Sequence, residues 1–478
     1  MADEWKAPAA RINADGSMAG GAADANPALD RARRKAYLRL MPLLFLSYMI
    51  AYVDRTNVAI AGLTMSRDLP GFDSEVFGFG AGVFFVGYFL LEIPGTLMIE
   101  LWSARKWLSR IMISWGLMAA LTAFVTTPMQ FYAVRFLLGL AEAGFYPGVI
   151  VYLTHWFPSR DRTRALAYFF VATPIAQMIS PKLSNGLLTI GTVEKLPGGQ
   201  LLRHPEVWGL EGWQWVFIAW AVPAVVLGVL VLVYLTDRPA QAKWLDPDER
   251  QALETELQRE KDASAAGGHM TVGQALANPK VLILAGAYFC AVTGNYGVEF
   301  FMPKILERWY DLNMASLTWL IVLPPLGSLI GQLFVGWNSD RTGERRFHTV
   351  LPVYLGAASL AALAVIPAPP LVVAVALFFL ALTGLKAYLP AFWSLPSLFL
   401  AESAAAGSIG LINSVGNLGG FIGPWLLGRI DRLTGSFRGG LTVLAVSIAL
   451  AATIILLLGV GRRPAGNGGG AAGPGLDG

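Results

Sequence analysis

Cysteine, charge and histidine are all scarce in this chain, and each scarcity removes a class of protein. A single cysteine, Cys290, in 478 residues excludes an intrachain disulfide framework; it lies in an apolar run and reads as a small core residue. Four histidines, His155, His204, His269 and His348, fall at run ends or in loops without metal-ligand spacing. No metal, cofactor or catalytic role is assigned to them. Charged residues make up only 14% against 55% hydrophobic, with a mean hydropathy of +0.53, which marks an integral membrane protein rather than a soluble one. The stretch from Met1 to Asp30 has no apolar core and so is not a cleavable signal peptide. There is no HExxH or other paired-ligand motif and no soluble catalytic domain, so the chain does not read as an enzyme. Net charge +4 and a pI near 9.1 do not imply nucleic acid, because the basic residues sit in short loops, where they set membrane topology.

What the chain has in abundance is apolar runs. About twelve approach the roughly 20 residues a spanning helix needs: 40–64, 76–99, 107–125, 129–153, 164–190, 213–236, 281–303, 315–338, 348–367, 371–399, 404–428 and 438–460. If they alternate in direction, Arg31, Arg33, Arg34, Lys35, Arg105, Lys106, Arg160, Arg162, Arg164, Arg341, Arg345, Arg346, Arg462 and Arg463 fall on one side, and the opposite loops carry fewer, chiefly Arg67, Lys195, Arg203, Arg308, Arg432 and Arg438. Both termini are then cytoplasmic, in the cell's inner (plasma) membrane. The expected organisation is an N-terminal tail (1–36), a six-helix bundle (37–236), a cytoplasmic linker (237–280), a second six-helix bundle (281–460) and a C-terminal tail (461–478). Within the linker, Asp246-Pro247-Asp248-Glu249 predicts a capped surface helix, read as a solvated connector. The Ala- and Gly-rich ends read as disordered.

Against this apolar background a few charges stand out. Asp54 and Arg55 are adjacent inside the first run, where an ionisable group costs at least about 2.5–3.5 kcal/mol and normally faces a bundle interior or a watery path. Arg135 and Glu142, seven residues apart in the fourth run, share one helix face at about 10 Å separation. Desolvation and a neighbouring cation act on a carboxyl in opposite senses, so Asp54 and Glu142 can be set to exchange protons. A static, helix-holding ion pair is the plainer alternative. Tyr88 and Glu92 lie one turn apart and can share a cavity; Tyr88 is favoured as a hydroxyl donor and Glu92 as structural. Asn413 and Asn417, also i,i+4, offer neutral donors among glycines that allow close helix approach; helix-to-helix bonding is the alternative for Asn413.

The halves echo each other. Gly336-Trp337-Asn338-Ser339-Asp340-Arg341-Thr342-Gly343-Glu344-Arg345-Arg346 follows the eighth run, and Pro94 to Lys106 is a worn version of it after the second, with Thr96 and Ser103 at glycine positions and Glu100 in place of Asp. Such a turn lets two helices pass closely, with Asp340, Arg341 and Arg345 as structural and gating residues. This loop resembles the signature of the major facilitator superfamily. Tyr52 to Asn57, Phe84 to Pro94, Arg135 to Glu142 through Trp156-Phe157-Pro158, and Leu411 to Gly420 resemble its anion:cation symporter branch, most similar to tartrate and phthalate permeases.

The resemblance implies an all-α membrane fold of twelve transmembrane helices in two six-helix bundles, and proton-coupled import of a small organic anion by alternating access. It also implies Arg55 and Arg135 as substrate ligands, whose planar fork suits a carboxylate, together with Ser394 and Asn417. Partners are the organic anion, protons and the bilayer, for a monomer without cofactor. A uniporter or exchanger of the same fold is the first alternative; a sensor or a membrane enzyme is weaker.

Two charges remain outside this pattern. Lys386 lies about 15 residues into the tenth run, near the bilayer centre, and Glu299 lies in the seventh. Either the two pair and lock helices, or Lys386 meets a second substrate carboxylate and the substrate is a dicarboxylate.

Overall fold

A computed structural model describes residues 26–191, 193–195, 201–265, 278–398 and 402–460. The described residues are almost entirely helical, and each of the twelve expected runs falls on a helix or a broken pair of helices. In order these are α1 (Pro27–Asp68), α2 (Ser74–Leu101), α3 (Ala104–Thr122), α4 (Pro128–Glu142), α5 (Phe145–Thr154), α6 (Ser159–Phe170), α7 (Ala172–Leu188), α8 (Gly212–Tyr234), α9 (Pro247–Ala265), α10 (Pro279–Tyr310), α11 (Met314–Leu320), α12 (Leu323–Thr342), α13 (Arg346–Val365), α14 (Leu371–Ala387), α15 (Leu389–Phe392), α16 (Glu402–Thr434) and α17 (Phe437–Leu458). Nine spans among the described residues are long and apolar enough to cross a membrane unaided. The third, fifth and eleventh runs fall short for readable reasons: α3 carries Arg105, Lys106 and Arg110, α6 of the fifth opens on a cluster of charged residues, and α16 is rich in glycine and polar side chains.

Helix starts follow local chemistry. Asn26 caps α1 by accepting from the amides of Ala28 (3.1 Å) and Leu29 (3.3 Å), with Pro27 in the first turn. Asp73 caps α2 through the Val76 amide (2.8 Å), and Asn278 caps α10 through that of Lys280 (3.0 Å). The fourth run is not one helix. It breaks at Gly144, whose φ of +83° is the left-handed region open to glycine, directly after Glu142. A β-carbon at Gly144 would come within 2.8 Å of the Gly95 backbone, and one at Gly139 within 2.0 Å of the Phe84 carbonyl oxygen, so α2 and the fourth run cross in backbone contact. That crossing sets Phe84 of α2 against Arg135, with Tyr88 one turn on, against Arg55.

Two features depart from the expected organisation. The linker helix α9 is not simply solvated: Glu249 is fully buried and pairs with Arg31 (3.3 Å) and Lys35 (2.7 Å) of α1, and Asp246 and Asp248 add further ion pairs to the same residues. A buried carboxylate needs partners, and α1 extends into the expected tail to supply them. Between α7 and α8, Val193–Lys195 pairs antiparallel with Leu201–Arg203, a short two-stranded pairing that the hydropathy pattern does not reveal. The expected C-terminal tail, most of the N-terminal one and His269 lie outside the described residues.

Ion pairs tie the two halves together at the end of the molecule where α1 stops and α2 begins. There Glu75 pairs with Arg429 (2.6 Å) and Arg432 (2.7 Å), Asp73 with Arg432 (3.2 Å), and Arg67 with Glu307. Asp431 accepts from Ser74 (2.6 Å) and from Arg308 (2.8 Å). At the opposite end, ion pairs among the described residues stay within a half or reach the linker: Glu100 with His155 (2.7 Å) and Arg238 (3.1 Å), and Asp340 with Arg345 (2.5 Å).

Candidate functional site

Three buried polar clusters lie where the halves face each other. The first belongs to the N-terminal half. Arg55 forms a hydrogen-bonded ion pair with Glu142, and its guanidinium lies 5.3 Å from the Phe84 ring and 5.2 Å from that of Tyr88. Arg135 sits 5.2 Å from the same Phe84 ring and donates its Nε to the Gly80 carbonyl (3.3 Å), leaving both terminal nitrogens without a protein acceptor although the side chain is fully buried. The two arginines thus flank one phenylalanine. Asp54 accepts from the Trp115 indole (2.9 Å) through one oxygen, while its other oxygen and Oε2 of Glu142 have no protein partner. The partners differ from the sequence order: Arg55 is held by Glu142, not by its neighbour Asp54, because successive residues on a helix point about 100° apart.

The second cluster joins the halves. Glu299 on α10 accepts from Tyr52 (2.7 Å) on α1, Gln177 (2.6 Å) on α7 and its own helix's Asn295 (3.2 Å), and pairs with Lys386 (3.2 Å) on α14. Lys386 also donates to the Tyr52 hydroxyl (3.2 Å). A small pocket borders Glu299, with Thr56, Gln177 and Ser180 among mostly apolar residues in its wall. Tyr296 links the two clusters: its hydroxyl is 3.5 Å from Arg55, and its ring lies 5.7 Å from the Lys386 ammonium. The two cations therefore look across one tyrosine from opposite halves.

In the third cluster Glu92 of α2 receives Asn413 (2.6 Å), Ser414 (2.9 Å) and Asn417 (3.3 Å), all from α16. Both asparagines therefore bond across to the other half in this conformation. Ser394 donates to the Ala391 carbonyl (2.7 Å) at the end of α15. Asp340 and Arg345 pair at the end of α12, and Arg341 lies over Trp337 at 5.4 Å. Tyr52, Trp115, Gln177 and Asn295 were not singled out from sequence. Gln177 carried a weak signal as a long amide deep in the fifth run, beside Ser180 and Lys182; Trp115 carried none.

A family model described as Major Facilitator Superfamily matches residues 44–424. The chain belongs to the major facilitator superfamily. Members of this superfamily are membrane transporters, not enzymes. The chain is 41% identical over 428 residues to a protein of Agrobacterium vitis named "Putative tartrate transporter", covering 90% of this chain and 94% of that one. It is 37% identical over 421 residues to the "Putative metabolite transport protein NicT" of Pseudomonas putida, covering 88% and 92%. Among solved structures, the inward open conformation of the xylose transporter XylE from E. coli superposes with a TM-score of 0.68 at 13% identity over 90% of this chain and 97% of that one, a likeness of fold.

Proposed function

We propose that this transporter imports a small organic anion, a carboxylate, together with protons, by alternating access between bundles spanning 37–236 and 281–460. The observation that carries the reading is the Arg55–Glu142 pair beside the unpartnered terminal nitrogens of Arg135. A guanidinium whose charge is already balanced by a glutamate holds a substrate carboxylate more weakly, so a proton on Glu142 frees Arg55 to pair with the arriving anion. Arg135, already without an acceptor, supplies the second fork. Asp54, one residue from Arg55 and with a free oxygen, is the other proton carrier. Tyr88 lies against Arg55 and serves as a hydroxyl donor to substrate, with Ser394, Asn413 and Asn417 contributing from the C-terminal half once the Glu92 contacts open.

Coupling has a thermodynamic reason, since a negative interior opposes anion entry by about 2.3 kcal/mol per charge per 100 mV, and co-moving protons offset that. The relatives named for tartrate and for metabolite transport support a small organic substrate. With both termini cytoplasmic in the plasma membrane, the ion-pair belt around Glu75 and Asp431 is the closed outer gate and the conformation is inward-facing. Asp340, Arg341 and Arg345 then belong to the inner gate of a monomer. The test is a thermal-shift screen of organic acids on the purified protein: stabilisation by a carboxylate that is lost in Arg55→Ala and Arg135→Ala is expected. Stabilisation confined to neutral or cationic compounds would overturn the reading.

A further inference from the structure

The Glu299–Lys386 pair repeats, in the C-terminal half, the arrangement of Glu142 and Arg55 in the N-terminal half. In each case a buried glutamate holds a cation that faces Tyr296, Arg55 buried and Lys386 partly so. We infer that Glu299 and Lys386 form a second proton-exchange unit, so that the substrate is a dicarboxylate and each of its two carboxylates is matched by a proton on its own glutamate. This rests on the proton-coupled anion reading above and deepens it.

The geometry supports the exchange step by step. In the observed state Glu299 is saturated with donors: Tyr52 and Gln177 from the N-terminal half, Asn295 and Lys386 from its own. While it is ionised it holds the Lys386 ammonium at 3.2 Å, and no substrate carboxylate can displace it without stranding a buried negative charge. A proton arriving on Glu299 makes it a neutral acid, and the ammonium is released. The second carboxylate of the substrate then takes the ammonium, and the site keeps its net charge. On the other side the order reverses: the carboxylate leaves, Glu299 gives up its proton and recaptures Lys386. The pocket bordering Glu299 is the proton's way in: in a mostly apolar lining, Thr56, Gln177 and Ser180 supply the polar groups, and the buried Ser180 hydroxyl is without a protein partner. The donors to Glu299 come from both halves, so protonation also loosens a contact that holds the halves together.

The test measures how many protons move per anion. The full-length protein is reconstituted into liposomes, and the proton-to-substrate ratio is read from the membrane potential that just balances a set substrate and pH gradient. The probes are tartrate and threonate, in which a hydroxymethyl group replaces one carboxylate. The parent should move one more proton with tartrate than with threonate. Glu299→Gln should lose that extra proton for tartrate and show the same count for both probes. Lys386→Met should weaken tartrate at least tenfold relative to threonate. The double variant Glu299→Gln/Lys386→Met, which leaves no unpaired charge, guards against misfolding and should bind the two probes with similar affinity. A parental tartrate ratio retained in Glu299→Gln, or a parental tartrate preference retained in the double variant, overturns the inference. Failure of the parent to take up either probe in response to a pH gradient overturns the underlying reading instead, and needs no variant to be seen.

Discussion

Replacing Glu142 by glutamine separates binding from coupling. Glu142 is 1% exposed and is the ion-pair partner of Arg55, itself only 9% exposed, so the change strands a buried guanidinium. Removing one partner of a buried pair costs about 3–5 kcal/mol, and the amide oxygen left behind returns about 1 kcal/mol as a neutral acceptor. The substrate-free protein should therefore be destabilised by about 2–4 kcal/mol. An organic anion supplies the missing negative charge, so the variant should gain more stability from a bound carboxylate than the parent does. It should also bind that anion at least as tightly, because no glutamate competes for Arg55. It cannot release a proton, so accumulation driven by a pH gradient should vanish. The assay is thermal unfolding with and without the anion, paired with gradient-driven uptake into vesicles. Loss of anion binding, or a substrate-free stability equal to the parent's, would refute the competition between Glu142 and the substrate for Arg55.

Arg55→Lys and Arg135→Lys keep the charge but lose the planar fork, so substrate affinity should fall about tenfold or more in each; parental affinity in both, by titration, would make these arginines structural. Asp54→Asn should abolish accumulation against a gradient while exchange across the membrane persists, and unchanged acid-driven uptake would remove Asp54 from the proton path. Gly139→Ala drives a methyl into the Phe84 carbonyl, a backbone atom that cannot rotate away, and should destabilise the fold by about 1–3 kcal/mol with a loss of anion binding; a parental melting temperature would contradict the close crossing. Trp115→Phe removes the indole donor to Asp54 at 2.9 Å and should cost about 1–3 kcal/mol, read by thermal unfolding.

Much of the fold was legible because a bilayer imposes a strong pattern. Apolar runs of spanning length and basic loops are visible residue by residue, and the twelve runs fall on helices, with the fourth, fifth, eighth and tenth broken inside. The break after Glu142 was written in Gly144, but a glycine inside a membrane run is common enough that its positive φ does not announce itself. The paired strands Val193–Lys195 and Leu201–Arg203 carry no periodic signal long enough to read. At the site, sequence marks which residues are out of place in lipid, and so found Asp54, Arg55, Arg135, Glu142, Lys386 and Glu299. Partners depend on which helices face each other. That Glu142 meets Arg55 and that Asn413 and Asn417 meet Glu92 became visible only when the first and fourth runs, and the second and eleventh, were brought together. Lys386 and Glu299 pair as the simpler of the two sequence readings expected, with Tyr52 and Gln177 as partners that only the assembled halves supply.

The most direct test of the central claim is uptake of labelled tartrate into liposomes holding the purified protein, with the lumen set more alkaline than the medium. The account predicts accumulation above the external concentration, driven by the pH gradient and abolished by a protonophore. Uptake that only equilibrates, with the same extent whether or not a gradient is present, would contradict proton coupling.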